Sequence, residues 1–245
     1  MLRGLYTAAS GMNLQLSRQD AIANNLANIN TVGYKKDEMV GAAFQEVLFL
    51  ALKQRDVTPI GTLSLGVELE ENYTQLTPGN LLTTENPLDL AITGDGYFLI
   101  DTPTGQYLTR NGHFSRDAEG YLVTTEGDYV LGENGPLQMA GEKIIIGEDG
   151  SIYLDGEFSG RLLIVSPVEE ATLVKQGNTR FLAPGGWTRL ASPIVNQGVL
   201  ENSNVNPVEE MTKMIAVTRA YESNQKVIAV MDEVMNKIAN ELGRV

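Results

Sequence analysis

Residues 207–242 read PVEEMTKMIAVTRAYESNQKVIAVMDEVMNKIANEL, and this stretch decides the fold. Within it, a set of side chains that are apolar with one exception recurs at spacings of three and four residues. This spacing predicts a long helix with a heptad seam. Ser203 and Asn204 predict an N-cap, and Pro207 suits the first turn. The seam consists of Met214, Val217, Tyr221, Asn224, Ile228, Met231, Met235, Ile238 and Leu242.

The beginning of the chain predicts a second helix, over residues 3–29. Its seam consists of Leu5, Ala9, Met12, Leu16, Gln19, Ala23 and Leu26. The asparagine-rich run at residues 24–30 is poor helix material, and Gly33 is predicted to cap the end. Asn224 is the polar member of the C-terminal seam, and a single buried asparagine can fix the register of paired helices. Because the two ends carry matching seams, we expect the two helices to meet in space.

The middle of the chain has the pattern of an antiparallel β domain. Residues 64–200 contain many turn dipeptides, and short strand-like runs such as Tyr97–Ile100, Tyr121–Val123, Ile144–Ile146 and Leu162–Val165 separate them. The turn dipeptides are Asp95-Gly96, Asn111-Gly112, Glu119-Gly120, Glu126-Gly127, Asn134-Gly135, Asp149-Gly150 and Asp155-Gly156.

These patterns predict an α+β chain in three parts. Residues 1–35 and 201–245 form a terminal helical domain with heptad seams, and residues 64–200 form an all-β antiparallel middle domain. Residues 36–63 are predicted to be a connector, with a short apolar helix at Phe44–Leu52 and a loop at residues 58–61.

Charge is distributed unevenly over this chain of 245 residues, whose formal net charge is −13. Residues 64–200 contribute −12 of that charge, so the two ends are nearly neutral. An acidic middle disfavours nucleic-acid binding, because phosphate contacts need a basic surface. Neutral ends are suited to packing together, and an acidic middle is suited to remaining solvated.

The sequence contains few of the residue types and spacings that form an enzyme active site or a metal site. The chain has no cysteine and one histidine, His113, for which we favour a structural role next to a turn over that of a general base. Gly94-Asp95-Gly96 lacks the spacing of a phosphate-binding loop, and residues 148–155 lack the final glutamate of a calcium loop. We therefore predict no catalytic residue, metal, cofactor or small-molecule substrate.

Three separate motifs resemble the flagellar rod and hook protein family. Near the N-terminus, residues 5–12 read LYTAASGM and residues 23–35 read ANNLANINTVGYK. In the middle, residues 87–98 read PLDLAITGDGYF and residues 109–114 read TRNGHF. Residues 198–206 read GVLENSNVN and resemble the C-terminal signature of the family, which continues through Met211, Met214-Ile215 and RAYE at residues 219–222. The last of these and the middle motif resemble the distal rod type most.

The resemblance implies a structural subunit of the flagellar basal-body rod that polymerises into a helical tube. It implies export by the flagellar type III apparatus without a cleaved signal peptide, a location in the basal body within the periplasm or cell envelope, and contacts with other rod, hook and export proteins. Its terminal helices would form the assembly interface, through Leu5, Met12, Leu16, Asn24, Asn25, Leu26, Asn28, Met214, Val217, Tyr221, Asn224, Ile228, Met231, Met235, Ile238 and Leu242.

Other functions stay open on the residues alone. The chain could be a proximal rod or hook-type protein, although hook subunits usually carry a larger middle region. It could be a non-polymerising β-domain binding module whose two helices satisfy each other within one chain. A hydrolase would need a convergent pair of carboxylates, and no pair stands out in the acidic middle domain.

Overall fold

A computed structural model describes residues 2–43, 47–53, 56–63, 66–169 and 172–242. The chain divides into two compact units. The helical unit comprises Met1–Ala27, Asp37–Gln75 and Asn206–Val245, and the β-rich unit comprises Asn28–Lys36 and Leu76–Val205. The predicted fold class is confirmed, since two long terminal helices pack together and flank a middle built of antiparallel strands. The predicted domain boundaries stay a prediction.

In its described residues, the helical unit contains two helices and two antiparallel strand pairs. Helix α1 spans Leu2–Ala27 and helix α2 spans Pro207–Leu242. Strand β1 pairs with β4, and strand β2 pairs with β3. The strands are β1 (Asp37–Ala43), β2 (Val47–Lys53), β3 (Asp56–Leu63) and β4 (Val67–Thr74).

The N-cap of α2 is Asn206, so the predicted caps Ser203 and Asn204 were wrong. Asn206 Oδ1 accepts hydrogen bonds from the backbone N–H of Val208 at 3.1 Å and of Glu209 at 3.4 Å. This is the usual way in which a side chain satisfies the first free amides of a helix.

The predicted helix at Phe44–Leu52 was also wrong. Residues 44–46 lie outside the described part of the chain, but residues 47–52 belong to β2. A short apolar run has no periodicity that separates a helix from a strand, and here pairing with β3 decides the outcome. The predicted loop at residues 58–61 lies within β3, where Pro59 stands next to a shift in the pairing register. A strand tolerates proline at such an irregularity because one ladder amide is not needed there.

The β-rich unit is built around a ten-stranded sheet. Seven strands follow the order β17-β18-β8-β7-β11-β10-β9, while β12 pairs with β11 and β16 pairs with both β7 and β19. A three-stranded sheet has the order β13-β14-β15, and β20 pairs with β6 and β21 with β5. The strands of the ten-stranded sheet are β7 (Tyr97–Thr102), β8 (Gly105–Thr109), β9 (Phe114–Arg116), β10 (Leu122–Thr124), β11 (Tyr129–Gly132), β12 (Gly135–Pro136), β16 (Ile164–Pro167), β17 (Val174–Gln176), β18 (Arg180–Leu182) and β19 (Trp187–Arg189). The others are β5 (Leu81–Thr83), β6 (Leu90–Thr93), β13 (Ile144–Ile146), β14 (Ser151–Leu154), β15 (Glu157–Arg161), β20 (Ile194–Gln197) and β21 (Val199–Glu201).

Strand β7 is buried on both faces, which explains its unbroken apolar run. Phe98 and Ile100 belong to one core cluster, whereas Tyr97 and Leu99 belong to a second cluster on the opposite face. Because successive side chains of a strand point to opposite faces, a strand between two cores must be apolar at every position.

The turn dipeptides serve two different needs. Asp155 and Gly156 join β14 to β15 with φ values of 52° and 92°, the left-handed pair of a two-residue hairpin. In Asn111-Gly112, glycine is required by space: a β-carbon on Gly112 would lie 1.6 Å from the carbonyl oxygen of Leu90. That dipeptide therefore marks a close crossing of two chain segments rather than a hairpin.

Candidate assembly surface

The two terminal helices pack side by side and run in opposite directions. Gly4 of α1 lies against Met231 of α2, and Gly11 lies against Asn224. One heptad forward along α1 thus corresponds to one heptad back along α2. At the other end of the pair, Asn25 Nδ2 donates to Glu210 Oε2 at 3.2 Å.

The predicted seam of α2 faces inward. Its members are buried or half-buried, whereas the residues between them are mostly exposed. Asn224, its polar member, places its side-chain amide 3.0 Å from the position that a β-carbon on Gly11 would occupy. The side chain of Leu242 lies outside the described part of the chain. The inward residues are Met214, Val217, Tyr221, Asn224, Ile228, Met231, Met235 and Ile238.

Helix α1 meets α2 through a face that sequence reasoning missed. The contacts are made by Gly4, Gly11 and Asn25, while Leu14 is buried and packs near Gly41 of β1. The predicted seam of α1 lies roughly a third of a helical turn around the helix axis from this contact face. Within that seam Leu5, Met12 and Leu26 are half-buried, and Leu16 is 43% exposed. The expectation that the two helices meet is confirmed, although α1 makes the contact through a face other than its predicted seam.

Glycine explains why hydrophobic periodicity did not find this contact. Two glycines one heptad apart remove side-chain bulk from α1, so the backbones of the two helices approach closely there. Hydrophobic periodicity gives no weight to glycine, even though glycine lines this contact.

Asn25 is committed to contacts within its own chain. It is 1% exposed, and besides its bond to Glu210 it donates to the carbonyl oxygen of Asp37 and accepts from the Asp37 amide. Asn28 Oδ1 accepts from the Thr31 hydroxyl at 3.0 Å, and Asn24 is exposed. Asn25 thus joins the end of α1 to β1 and α2.

A small ion-pair cluster lies near the start of α2, next to the hydrogen bond between Asn25 and Glu210. Lys213 lies 2.8 Å from Glu209 and 3.2 Å from Glu210. Hydrogen bonding to Glu209 raises the pKa of the Lys213 ammonium above its ordinary value. These acids also lie in the first turn of α2, where negative charge stabilises the helix dipole.

The residues considered for enzyme or metal chemistry have structural partners. His113 Nδ1 lies 2.8 Å from Asp89 Oδ1, and Asp89 also accepts from Thr84 and Asn86. Asp149 is bonded to Ser151 and Arg161. Over the described ranges, no group of three or more acids and histidines could hold a metal ion. Nor is any helix of that part of the chain long and apolar enough to cross a membrane.

Helix α2 also carries six exposed apolar residues outside its predicted seam, in two groups at residues 208–215 and 227–234. We name these six exposed residues the outer stripe. Spacings of three and four residues within each half of the helix are the available signal for it. Its residues, with their exposed fractions, are Val208 (71%), Met211 (56%), Ile215 (56%), Val227 (42%), Val230 (59%) and Val234 (41%).

Comparison with known proteins finds matches along the whole chain. Three family models match in order: the flagella basal body rod protein model at residues 5–35, the flagellar hook protein FlgE/F/G D1 domain at residues 91–154, and the flagellar basal body rod FlgEFG protein C-terminal model at residues 196–242. The first and third of these models cover the N-terminal and C-terminal motifs of the sequence, and the second covers most of the middle one.

Individual relatives match over nearly their full length. The flagellar basal-body rod protein FlgG of Agrobacterium fabrum is 34% identical over 98% of this chain and 100% of its own. FlgG of Bacillus subtilis is 33% identical over 98% and 99% of the two chains, and FlgF of Mesorhizobium japonicum is 34% identical over 91% and 90%. Full-length similarity to FlgG makes a distal rod protein the most consistent assignment. The chain belongs to the flagellar basal-body rod protein family, and its role is structural rather than enzymatic.

Proposed function

We propose that this protein is a distal-rod subunit that polymerises with copies of itself into a helical tube, and that the exposed apolar faces of its two terminal helices form the contacts between copies. The observation that carries this proposal is the outer stripe of α2.

The outer stripe is unusual for a surface that remains in water. Four of its six members are aliphatic β-branched valines, and all six are more than 40% exposed. Burying an aliphatic side chain of this size is worth about 1.5–3 kcal/mol relative to full exposure. Two such groups on one helix therefore favour partner surfaces that pack against them.

Helix α1 offers a second exposed apolar face. Leu16 is 43% exposed and Tyr6 is 70% exposed, and Leu5 and Met12 are only half-buried. Two faces on one helix pair allow each copy to contact more than one neighbour, which a helical polymer requires. Leu5, Met12 and Leu16 of the predicted interface belong to this second face, whereas Asn25 and most of the predicted residues on α2 pack within the chain.

The charge distribution agrees with such an assembly. The terminal segments are almost neutral, and residues 64–200 carry −12. Neutral helices pack without strong repulsion, and acidic β-rich units remain solvated. A location in the basal body, export without a cleaved signal peptide, and contacts with other rod, hook and export proteins belong to the same proposal, by similarity to the family.

The proposal is tested by placing a charge on the outer stripe. We expect Ile215→Asp and Val230→Asp to abolish tubes or filaments of concentrated protein in negative-stain microscopy, because a carboxylate would be buried unpaired at every contact. Gln225→Asp adds the same charge at an exposed position off the stripe and should leave assembly intact. Normal assembly of both stripe variants would refute this interface.

A FlgF-type role within the rod is the second candidate, since FlgF of Mesorhizobium japonicum is 34% identical to this chain. Complementation separates the two. The gene should restore motility to a strain that lacks its own FlgG and fail in a strain that lacks FlgF. The opposite result would assign the FlgF-type role.

A further inference from the structure

Three charged side chains are buried together in the β-rich unit. Lys35 is 1% exposed, Glu201 is 2% exposed and Arg110 is 5% exposed. Lys35 Nζ lies 2.5 Å from Glu201 Oε1, and Arg110 Nη1 lies 3.4 Å from Glu201 Oε2. One carboxylate is therefore shared between two cations.

Backbone groups add further hydrogen bonds to this cluster. Lys35 Nζ also donates to the carbonyl oxygen of Thr77, and Glu201 Oε1 accepts from the amide of Gly79. Arg110 donates to the carbonyl oxygens of Ile92 and Gly94, and its guanidinium lies 4.9 Å from the ring centre of Tyr97. Segments distant in sequence thus converge on Glu201.

The residues on either side of Lys35 also make specific contacts with the β-rich unit. The Gly33 amide donates to the carbonyl oxygen of Glu201 at 2.8 Å, and the Lys36 amide donates to Asn204 Oδ1 at 2.8 Å. Tyr34 is 2% exposed, and Lys175 Nζ lies 3.9 Å from its ring centre.

Gly33 fits its position because it has no side chain. Its φ is +68°, and a β-carbon there would lie 2.4 Å from the amide nitrogen of Asn111. A slip of one residue would bring Val32 or Tyr34 to this place, and neither fits against backbone atoms in a left-handed conformation. The slip that brings Val32 to this place would put the Tyr34 ring opposite Glu201. In the other slip Lys36 could still pair with Glu201, so the fit at Gly33 is what excludes it.

Burial of this cluster is costly in energetic terms. Desolvation lowers the pKa of the Lys35 ammonium despite the neighbouring carboxylate, and Arg110 adds like-charge repulsion. Replacing buried ion pairs by apolar groups of similar size is often neutral or stabilising. The benefit of the cluster is therefore to be sought in specificity rather than in net stability.

We propose that Lys35, Glu201 and Arg110 form a register lock, which selects a single alignment of residues 31–36 on the β-rich unit. The register lock holds residues 31–36 in place and does not stabilise the core beneath them. In this alignment Gly33, Tyr34 and Lys35 occupy three positions of different shape and charge, and no neighbouring triplet of the chain fits all three.

Lys35→Met tests the lock, because it keeps the aliphatic length and leaves Arg110 and Glu201 as a neutral pair. We expect the amides of Gly33 and Lys36 to exchange with solvent deuterium at least about tenfold faster than in the wild type, as local opening becomes easier. The melting midpoint of the β-rich unit should be unchanged or higher. Lys143→Met makes the same replacement at an exposed site of the same unit and should change neither quantity.

Two results would overturn the proposal. If amide exchange at Gly33 and Lys36 is unchanged in Lys35→Met, the ion cluster does not hold the segment. If the β-rich unit melts well below the wild type or does not fold, the cluster is a stability element of the core. Glu201→Gln is a second check: it leaves two buried cations without a carboxylate, so it should lower the melting midpoint where Lys35→Met does not.

Discussion

Gly4 of α1 lies so close to Met231 of α2 that a β-carbon on the glycine would sit 2.3 Å from the terminal methyl carbon of the methionine. The absence of a side chain at this position sets the distance between the two helices. The atom that a larger residue would meet is nevertheless the flexible end of a methionine, which can turn aside.

Gly4→Ala should therefore stabilise the helical unit slightly. Alanine is favoured over glycine within a helix by about 1 kcal/mol, and the Met231 methyl can rotate away from one added carbon. Gly4→Leu adds more bulk than this movement provides, and overpacking of about 1–3 kcal/mol should then dominate. Thermal melting followed by circular dichroism at the helix band measures both. Equal effects of the two changes would argue against a close helix contact here.

Gly33→Ala should destabilise the β-rich unit, because the atoms that meet the new carbon belong to the backbone of Arg110 and Asn111 and cannot turn aside. Gly127→Ala is a matched control, since Gly127 also has a positive φ but no atom within 4 Å of its β-carbon position. The left-handed conformation alone costs about 1–2 kcal/mol at either site. Denaturant unfolding should show a larger loss for Gly33→Ala, and equal losses would contradict the packing argument.

Lys35 makes the stability of the β-rich unit depend on pH. Its folded-state pKa lies below the ordinary value of 10.5, because burial disfavours the ammonium form more than Glu201 favours it. As pH rises from neutrality towards 10.5, the folded state loses this proton before the unfolded state does, so the free energy of unfolding rises. Denaturant unfolding of wild type and Lys35→Met at several pH values isolates the effect. Wild type should gain stability relative to the variant as pH increases, and a relative loss would reverse the assignment.

The terminal helices should exchange their amide protons faster than the strands of the β-rich unit in the isolated subunit. Most of the inner seam of α2 is only half-buried, whereas β7 is enclosed by two core clusters. Helices without extensive packing are marginally stable in water. Hydrogen exchange over residues 2–27 and 207–242 tests this, and protection equal to that of β7 would favour the closed helix pair of the binding-module alternative.

Ile238→Asp should leave the monomer folded and prevent assembly. Ile238 is half-buried near the end of α2, so in the free subunit an aspartate there can still reach water. In a packed tube the same carboxylate would be buried, and the loss of the apolar side chain would add about 2–5 kcal/mol at each subunit. Motility and negative-stain microscopy report assembly, and the melting of the β-rich unit reports folding. Lys237→Gln, at a side chain that is 70% exposed, is the control. Normal swimming of Ile238→Asp cells would exclude this position from the interface.

The α2 seam and the antiparallel β-rich middle were predictable because each rests on local periodicity. From Met214 to Ile238 every predicted inward residue is buried or half-buried. The α1 face was not predictable in this way, since Gly4 and Gly11 contribute contact without hydrophobicity. Strand β2 was mistaken for a helix because its apolar run is decided by pairing with β3 rather than by its own pattern.

The charged cluster of the β-rich unit lay beyond the reach of sequence patterns. Lys35 and Glu201 are 166 positions apart, and nothing local to either residue indicates that it is buried. In an acidic chain a lysine and a glutamate are expected at the surface. Their meeting depends on the path of the chain as a whole, and so does the fit of Gly33 beside them.

Some glycines in the turns of the β-rich unit could be replaced by a D-amino acid. Gly127 and Gly156 have positive φ and no atom within 4 Å of the β-carbon position, so these turns require left-handed geometry and not a small residue. A D-alanine at either site, introduced by chemical ligation, would favour that geometry and reduce the freedom of the unfolded chain. At Gly112, where a β-carbon would meet the carbonyl oxygen of Leu90 at 1.6 Å, an L-alanine would have no room. A mirror-image residue would thus suit the backbone of Gly127 and Gly156, which have positive φ, and not that of Gly112, which does not.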